Sequence, residues 1–296
     1  MASLASIDTN IQGSGLMEDS DNVWNAGGHQ PSGVDAHVYA AKVYDYLRLY
    51  LGLNSYTNVG SSMVSMVAVT QYGSSGGPCS NDAFWDSIRI NVCVGSGQIP
   101  FSGALDVIAH EWGHAVTENV GANLVYASDS GALNEAFSDW MGAAVEWANG
   151  ETNWTIGEGV EVLRDLSNPL LYGQPDTYGG SCTTNCPPNW FQTAGCISQG
   201  SLNDWCGVHT NSGVGNKMFY LLSAGGTHKV SGVTVTGIGI QKAMQIALKA
   251  NNTKYWLSDT TYPAAKNRMI EAAQALGMTA FEVEQVRKAW TAVGVN

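Results

Sequence analysis

DVIAHEWGHAVTEN, residues 106–119, carries two histidines four residues apart, with a glutamate beside the first. The stretch 104–119 has helical periodicity. On a helix, residues i and i+4 lie one above the other, so His110 and His114 present their imidazoles to one point. Two residues at that spacing can share a tetrahedral zinc ion, and Glu111, one position round, can reach a water at the metal's open position. The bland alternative is a helix that holds two histidines by chance. Two ligands do not hold zinc, so the third has to come from elsewhere in the chain.

A second helix, expected over 133–149 (LNEAFSDWMGAAVEWAN), offers Glu135, Asp139 and Glu146. Offsets of 4 and 11 residues put the three carboxylates within a fraction of a turn of one another. An acidic stripe is usually a solvated face. This one is embedded among Phe137, Met141, Ala143 and Val145 and bounded by Trp140 and Trp147, so the helix is expected to be largely buried. Buried carboxylates need cations. Pairing this helix with the histidine helix makes Glu135 the third zinc ligand, with Asp139 accepting the second ring N–H of a ligand histidine. Glu146 then lies about three turns from the zinc, and with antiparallel helices Asp106 lies toward the same end. The following NGETNWTIGEG adds Glu151, Asn153 and Glu158, hard oxygen ligands of the kind calcium prefers.

The totals narrow the function classes. A chain of 296 residues can bury a sizeable core, and 44% hydrophobic content with 10 Trp and 12 Tyr is globular. A formal charge of −12 argues against nucleic acid and anionic membrane as partners, since both need a basic patch. No apolar run approaches the roughly 20 residues that cross a bilayer. The opening MASLASIDTNIQGSGL has neither a basic flank nor a continuous apolar core, so it does not read as a secretory signal. Six cysteines, all between Cys79 and Cys206 and none in C-x-x-C spacing, point to disulfides and an oxidising compartment. Cys79 and Cys93 flank a hairpin-like stretch and are expected to pair. Three pairings stay open for Cys182, Cys186, Cys196 and Cys206.

Along the chain, 35–52 is helical and ends at a glycine, as a C-cap would. MVSMVAV and SIRINVCVG then lean toward alternation, with Ile88, Ile90, Val92 and Val94 on one face, and read as strands of a small antiparallel sheet. A Gly/Cys/Pro/Asn-rich stretch, 173–213, is expected to be mostly loop. Helices follow at 213–224, 238–250, 263–276 and 279–292, the last opened by a Thr279/Glu282 capping box. Sheet first and helices last give an α+β fold of two lobes. The boundary is drawn at 1–126, a sheet-rich lobe that includes the zinc-motif helix, and 127–296, a helical lobe.

VIAHEWGHAVTE, GALNEAFSDWMG and DWCGVHTNSGVGNK together resemble the thermolysin-like neutral zinc metalloproteases, from about Asp35 to the C-terminus. The resemblance implies that His110, His114 and Glu135 hold zinc, that Glu111 activates the attacking water, and that Asn134 and Asp139 orient the histidines. It implies two oxyanion donors, His209 and Tyr126, with Asp204 orienting His209, and an arginine, Arg164, that binds a peptide carbonyl. Read alone, His209 would pass for a core histidine and Arg164 for half of a surface salt bridge. Phe101, Val107, Ile156, Val160 and Leu163 are similar to a pocket that accepts a bulky apolar residue after the scissile bond. Asp82, Ala83 and Trp85, in NDAFWD, fall in a segment that resembles the edge strand pairing with substrate backbone.

Three departures from the family accompany the resemblance. The chain before Asp35 is shorter than the usual N-terminal sheet region. Asp82 stands where an asparagine is usual, and an ionised acid cannot donate from its side chain. Thr155 stands where thermostable members have a glutamate that bridges two calcium ions, which implies one calcium, on Asp106, Glu146, Glu158 and Asn153. The expectation is a secreted, monomeric zinc endopeptidase that cleaves protein or peptide substrates before bulky hydrophobic residues, with a pro-segment on its precursor. A zinc aminopeptidase and an inactive binding or adhesion protein of the same fold are the alternatives.

Overall fold

The computed structural model describes residues 5–19, 23–24, 28–73, 76–95, 100–193, 196 and 200–296. The chain forms two compact units, Met1–Asn119 with Met141–Val162, and Val120–Trp140 with Leu163–Asn296.

The first unit holds a five-stranded sheet in the order β2-β1-β3-β5-β4. Its strands are β1 (Ile7–Ile11), β2 (Gly15–Leu16), β3 (Met63–Val69), β4 (Ala83–Trp85) and β5 (Ile90–Cys93). In β3 the side chains of Met63, Ser65, Val67 and Val69 are buried and those between them partly exposed, the period-2 pattern of a strand with one covered face. The antiparallel expectation fails for this core. β1 pairs with β3 in parallel, and β3 with β5 in parallel; only the outer strands β2 and β4 run antiparallel. Helix α1 (Gln30–Tyr50) supplies the crossover that parallel pairing of β1 and β3 requires. β4 takes the return direction before β5, so β3 and β5 point the same way.

All four residues of β5 are buried, so both of its faces are covered, while Ile88, expected to share its apolar face, is 71% exposed outside the strand. α1 begins earlier than its periodicity suggests, because a proline at the first helical turn is compatible with starting the helix there. α1 packs against β3 and against α2 (Leu105–Asn119). The core of this unit includes the buried Val43, Tyr46 and Leu47 of α1, Met63 and Val67 of β3, Ile90 and Val92 of β5, and Ile108, Trp112 and Val116 of α2.

The second unit is mainly helical. It holds most of α3 (Ser128–Ala148), whose last residues belong to the first unit, and α4 (Asp204–Ala224), α5 (Ile240–Ala250), α6 (Tyr262–Ala275) and α7 (Ala280–Ala292). Trp140 and Phe219 stack at 5.1 Å between centroids, and Trp256, Tyr262, Met269 and Trp290 are buried in the same unit. α4 absorbs the end of the stretch expected to be loop. Trp205, Cys206 and Gly207 have left-handed backbone, after which a regular helix runs on. Gly207 answers two demands there: its φ is +85°, and a Cβ would meet the Phe191 ring at 2.7 Å.

The disulfides are Cys79–Cys93, as expected, with Cys182–Cys186 and Cys196–Cys206 resolving the open choice. Among the described residues no helix is long and apolar enough to cross a membrane.

The capping box of α7 is formed: Thr279 Oγ1 accepts the Glu282 N–H, and Glu282 Oε2 accepts the Thr279 N–H at 2.8 Å. Lys242 Nζ lies 2.5 Å from Glu282 Oε1. The Lys242 ammonium first, and then the Thr279 N–H and hydroxyl, hold the Glu282 carboxyl down at about 2, against 4.5 for an ordinary glutamate. A folded-state value below the unfolded one stabilises the fold above about pH 4.5, and that contribution is lost as pH falls toward 2. Unfolding midpoints measured across this window should fall more steeply for the native chain than for Glu282→Gln.

Candidate active site

α2 is buried along nearly its whole length, so its polar residues are held in place by packing. His110 and Glu111 are each 5% exposed, and His114 is half-buried. The two Nε2 atoms stand 3.0 Å apart. Two nitrogens on one tetrahedral zinc, each at about 2.0–2.1 Å, would stand roughly 3.3 Å apart, so small ring adjustments admit the ion. Glu135 joins them: one ligand atom from each of His110, His114 and Glu135 lies within 4.8 Å of the others. Two imidazoles and a carboxylate are a zinc donor set that leaves a fourth position for a reactant.

Within the second unit, Glu135 is 1% exposed and accepts from the Tyr126 hydroxyl. The same hydroxyl lies 3.0 Å from His209 Nε2, which is itself 3.5 Å from Glu135 Oε1. On the other side of the ring, His209 Nδ1 lies 2.5 Å from Asp204 Oδ1. Asp204 also accepts the Thr210 N–H and hydroxyl, each at 3.0 Å, so it anchors the start of the helical turn that bears His209. Burial pushes the Asp204 carboxyl up, but the hydrogen bonds from His209 and Thr210 outweigh it and hold it below its ordinary value. Burial likewise lowers His209, and Glu135 and Asp204 more than reverse this, against the opposing charge of Arg164. Tyr126, Glu135, Asp204 and His209 therefore form one hydrogen-bonded group. Gln174, which sequence reasoning missed, donates to the His209 carbonyl at 2.6 Å.

Asp139 is fully buried. Arg164 grips it with Nε and Nη2 at 2.8 and 2.7 Å, and Asn216 donates to it at 2.7 Å. The sequence offered one signal for Asn216: it lies seven residues after His209, two helical turns on. Asn134, beside Glu135, is 9% exposed.

In the first unit, one oxygen from each of Asp106, Glu146 and Glu158 lies within 4.8 Å of the others. Asp106 is fully buried and Glu146 2% exposed, while Glu158 has solvent access. Gly142 allows this meeting, since a Cβ there would sit 2.8 Å from the Asp106 carbonyl oxygen. Asn153 donates to Glu146 at 3.3 Å and also to Glu158, and Thr155 Oγ1 donates to Glu158 at 2.9 Å. Burial first, and then Asp106, Glu158 and Glu151, push Glu146 up to about 9 in the ion-free protein. A cluster like this holds either a proton or a cation.

Of the expected apolar pocket, Phe101, Val107 and Ile156 are buried, and Val160 and Leu163 partly exposed. Asp82 immediately precedes β4, which holds Ala83 and Trp85. Trp85 packs on Trp112 of α2 at 5.6 Å between centroids, and its Nε1 donates to Glu118 at 2.5 Å. Neither Glu118 nor Tyr72, which donates to Asp82 at 2.5 Å, had a sequence signal of its own.

Comparison with known proteins agrees with this geometry. Residues 2–118 match the thermolysin metallopeptidase catalytic domain, and 122–295 match the thermolysin metallopeptidase alpha-helical domain. The chain belongs to the thermolysin metallopeptidase family. It is 42% identical over 292 residues to a bacillolysin of Bacillus cereus, and 40% identical to a thermolysin of Alicyclobacillus acidocaldarius, each alignment taking in 95% of the chain. The chain spans about half the length of these relatives, 46% and 48%. Its fold is similar to the precursor of protealysin, a metalloproteinase from Serratia proteamaculans: TM-score 0.74 at 24% identity, covering all of this chain and 89% of that one. The thermolysin family is zinc-dependent, in keeping with the His-His-Glu group.

The Arg164–Asp139 pair generates a prediction separate from any activity. With side chains 14% and 0% exposed, it is a buried ion pair, and removing one partner leaves an uncompensated charge. Arg164→Leu is expected to lower stability by about 3–5 kcal/mol. Urea unfolding of the two proteins checks this, and an unchanged midpoint would show that the pair contributes nothing.

Proposed function

We propose that the chain is a zinc endopeptidase that hydrolyses protein or peptide substrates before bulky hydrophobic residues. One observation carries the reading: His110, His114 and Glu135 converge beside Glu111, and Glu135 is hydrogen-bonded into the Tyr126–His209–Asp204 group. A structural metal site has no use for those additional groups. When bound, zinc would polarise the scissile carbonyl and acidify the attacking water.

The chain's own residues do the rest. Glu111, buried on α2 one position from His110, takes the water's proton and returns it to the leaving amine. Tyr126 and His209 donate to the oxygen that gains charge in the tetrahedral state, where donors accelerate the reaction most. Asp204, bonded at Nδ1, directs Nε2 of His209 toward Tyr126. Arg164, held by Asp139 through Nε and Nη2, binds a substrate carbonyl. Asn134 and Asp139 complete the setting of the metal ligands. An extended peptide adds along β4 by main-chain hydrogen bonds to Ala83 and Trp85, and Phe101, Val107, Ile156, Val160 and Leu163 receive the bulky side chain.

One calcium ion on Asp106, Glu146 and Glu158, with Asn153, braces the first unit. The acidity of the cluster and the burial of Asp106 and Glu146 support this. Three disulfides support an extracellular location. The similarity to a precursor structure, and relatives about twice as long, support synthesis with a pro-segment.

Two measurements test the reading. Glu111→Gln should retain one zinc per chain by metal analysis, yet hydrolyse an end-blocked Gly-Leu-type peptide about 10²–10⁴-fold more slowly. Zinc without turnover in the native chain would sink the peptidase assignment. Separately, removing bound ions with a chelator should lower the thermal midpoint, and calcium added after zinc should raise it further; zinc alone restoring the full value would refute the calcium site.

A further inference from the structure

The open edge of the sheet carries a fixed negative charge. β4 ends the strand order, and among the described residues no strand pairs with its outer edge. The Asp82 carbonyl accepts the Cys93 N–H at 2.9 Å, and Phe84 stands opposite Asn91 of β5. By the two-residue period, the N–H and C=O groups of Ala83 and Trp85 therefore point away from β5, to the open side. The Ala83 N–H donates to Asp82 Oδ1 at 2.9 Å. The Asp82 carboxylate thus lies on the open edge itself, in the path of any chain that adds to it.

That position is held from a second direction. Tyr72 donates to Asp82 Oδ2 at 2.5 Å and rests against Phe84, with ring centroids 5.3 Å apart. The turn bearing Tyr72 is tied to β5 by Cys79–Cys93. Burial first, and then Asp82, push the Tyr72 phenol up to about 12, so it stays a donor. The nearest cation of this hairpin, Arg89, is drawn instead to Asp86 at 3.6 Å.

An edge strand recruits a peptide through its main chain, and groups beside it confer selectivity. An acidic side chain passing Asp82 meets like charge, and a cationic one meets its complement. We infer that Asp82 selects substrates that place a lysine or arginine side chain at the Asp82 end of β4. That the occupant is a peptide rests on the proposed endopeptidase reading; the charge selection rests on the placement of Asp82. Asp82→Asn separates charge from shape, because the amide keeps an oxygen for the Ala83 N–H.

The experiment uses the full chain with Glu111→Gln, so that peptides bind without turnover, with Asp82 or Asp82→Asn. Fluorescent end-blocked peptides, identical except for Lys, Gln or Glu scanned along the chain, are titrated by anisotropy at two salt concentrations. At one position the Lys peptide should bind roughly fivefold tighter than Gln, as for a partly exposed ion pair, with Glu weaker than Gln. The preference should shrink at high salt and fall within about twofold in Asp82→Asn. Equal Lys/Gln ratios in both proteins overturn the inference and leave the peptidase reading intact. The same peptides with a free α-amine are titrated in parallel, and loss of affinity in Asp82→Asn for those alone would assign the carboxylate to a chain terminus and also overturn the inference. Binding of no peptide, together with no turnover by the native chain, removes both readings. Should Asp82→Asn fail to fold, Asp82→Ser, which also keeps an oxygen acceptor, serves in its place.

Discussion

The burial of carboxylates on α3 is the constraint on which the rest of the molecule depends. Glu135, Asp139 and Glu146 are each at most 2% exposed on a helix otherwise packed with Ala, Phe, Trp and Val. An ionised carboxylate stripped of water costs several kcal/mol unless charge or hydrogen bonds replace its hydration. Each of the three is met differently. Asp139 has a guanidinium and an amide, and so needs nothing from outside the protein. Glu135 accepts from the Tyr126 hydroxyl and lies 3.5 Å from His209 Nε2, and one ligand atom from each of His110, His114 and Glu135 lies within 4.8 Å of the others. Glu146 has mainly other carboxylates, and is pushed up to about 9 when no ion is present. One helix thus carries three buried carboxylates in three different settings.

What was legible in the sequence follows from the range of the physics involved. His110 and His114 could be placed together because i, i+4 geometry is local and survives any packing. The meeting of Asp106 with Glu146 needed only two helices and a count of turns, and Glu158 came from the segment that follows the second. The Thr279/Glu282 box and the Cys79–Cys93 bridge were likewise short-range. Sheet direction was not local: the alternation in β3 says that one face is covered, and says nothing about which way its neighbours run. The parallel pairing depends on a 21-residue helix crossing between β1 and β3, and β1 itself lies in a stretch with no strong pattern.

Two partners of Asp139 show the same limit at the level of one side chain. Spacing placed Asp139 on the face that meets the histidine helix, and carried no sign of Arg164 or Asn216. The grip of Arg164, 25 residues on, and of Asn216, 77 residues on, is a product of tertiary packing that no periodicity encodes. The start of α4 was hidden for a related reason. Asp204, Trp205 and Cys206 all adopt left-handed backbone, which sequence rules assign to glycine, and the hydrogen bonds of Asp204 and the Cys196–Cys206 bridge hold them there.

Local and long-range order meet on α2. One side of this helix presents His110, Glu111 and His114, and another presents Trp112, which is fully buried against Tyr56 and Trp85. Trp85 is at once the last residue of β4 and a wedge against the metal-motif helix, with its indole N–H pinned by Glu118 from the same helix. Aromatic packing and the Glu118 hydrogen bond therefore hold β4 directly against the helix that carries Glu111. A catalytic base has to lie within hydrogen-bond reach of its proton, and a displacement of about 1 Å can cost 10²-fold in rate. The packing of Trp85 on Trp112 thus ties the edge strand to the helix that carries Glu111.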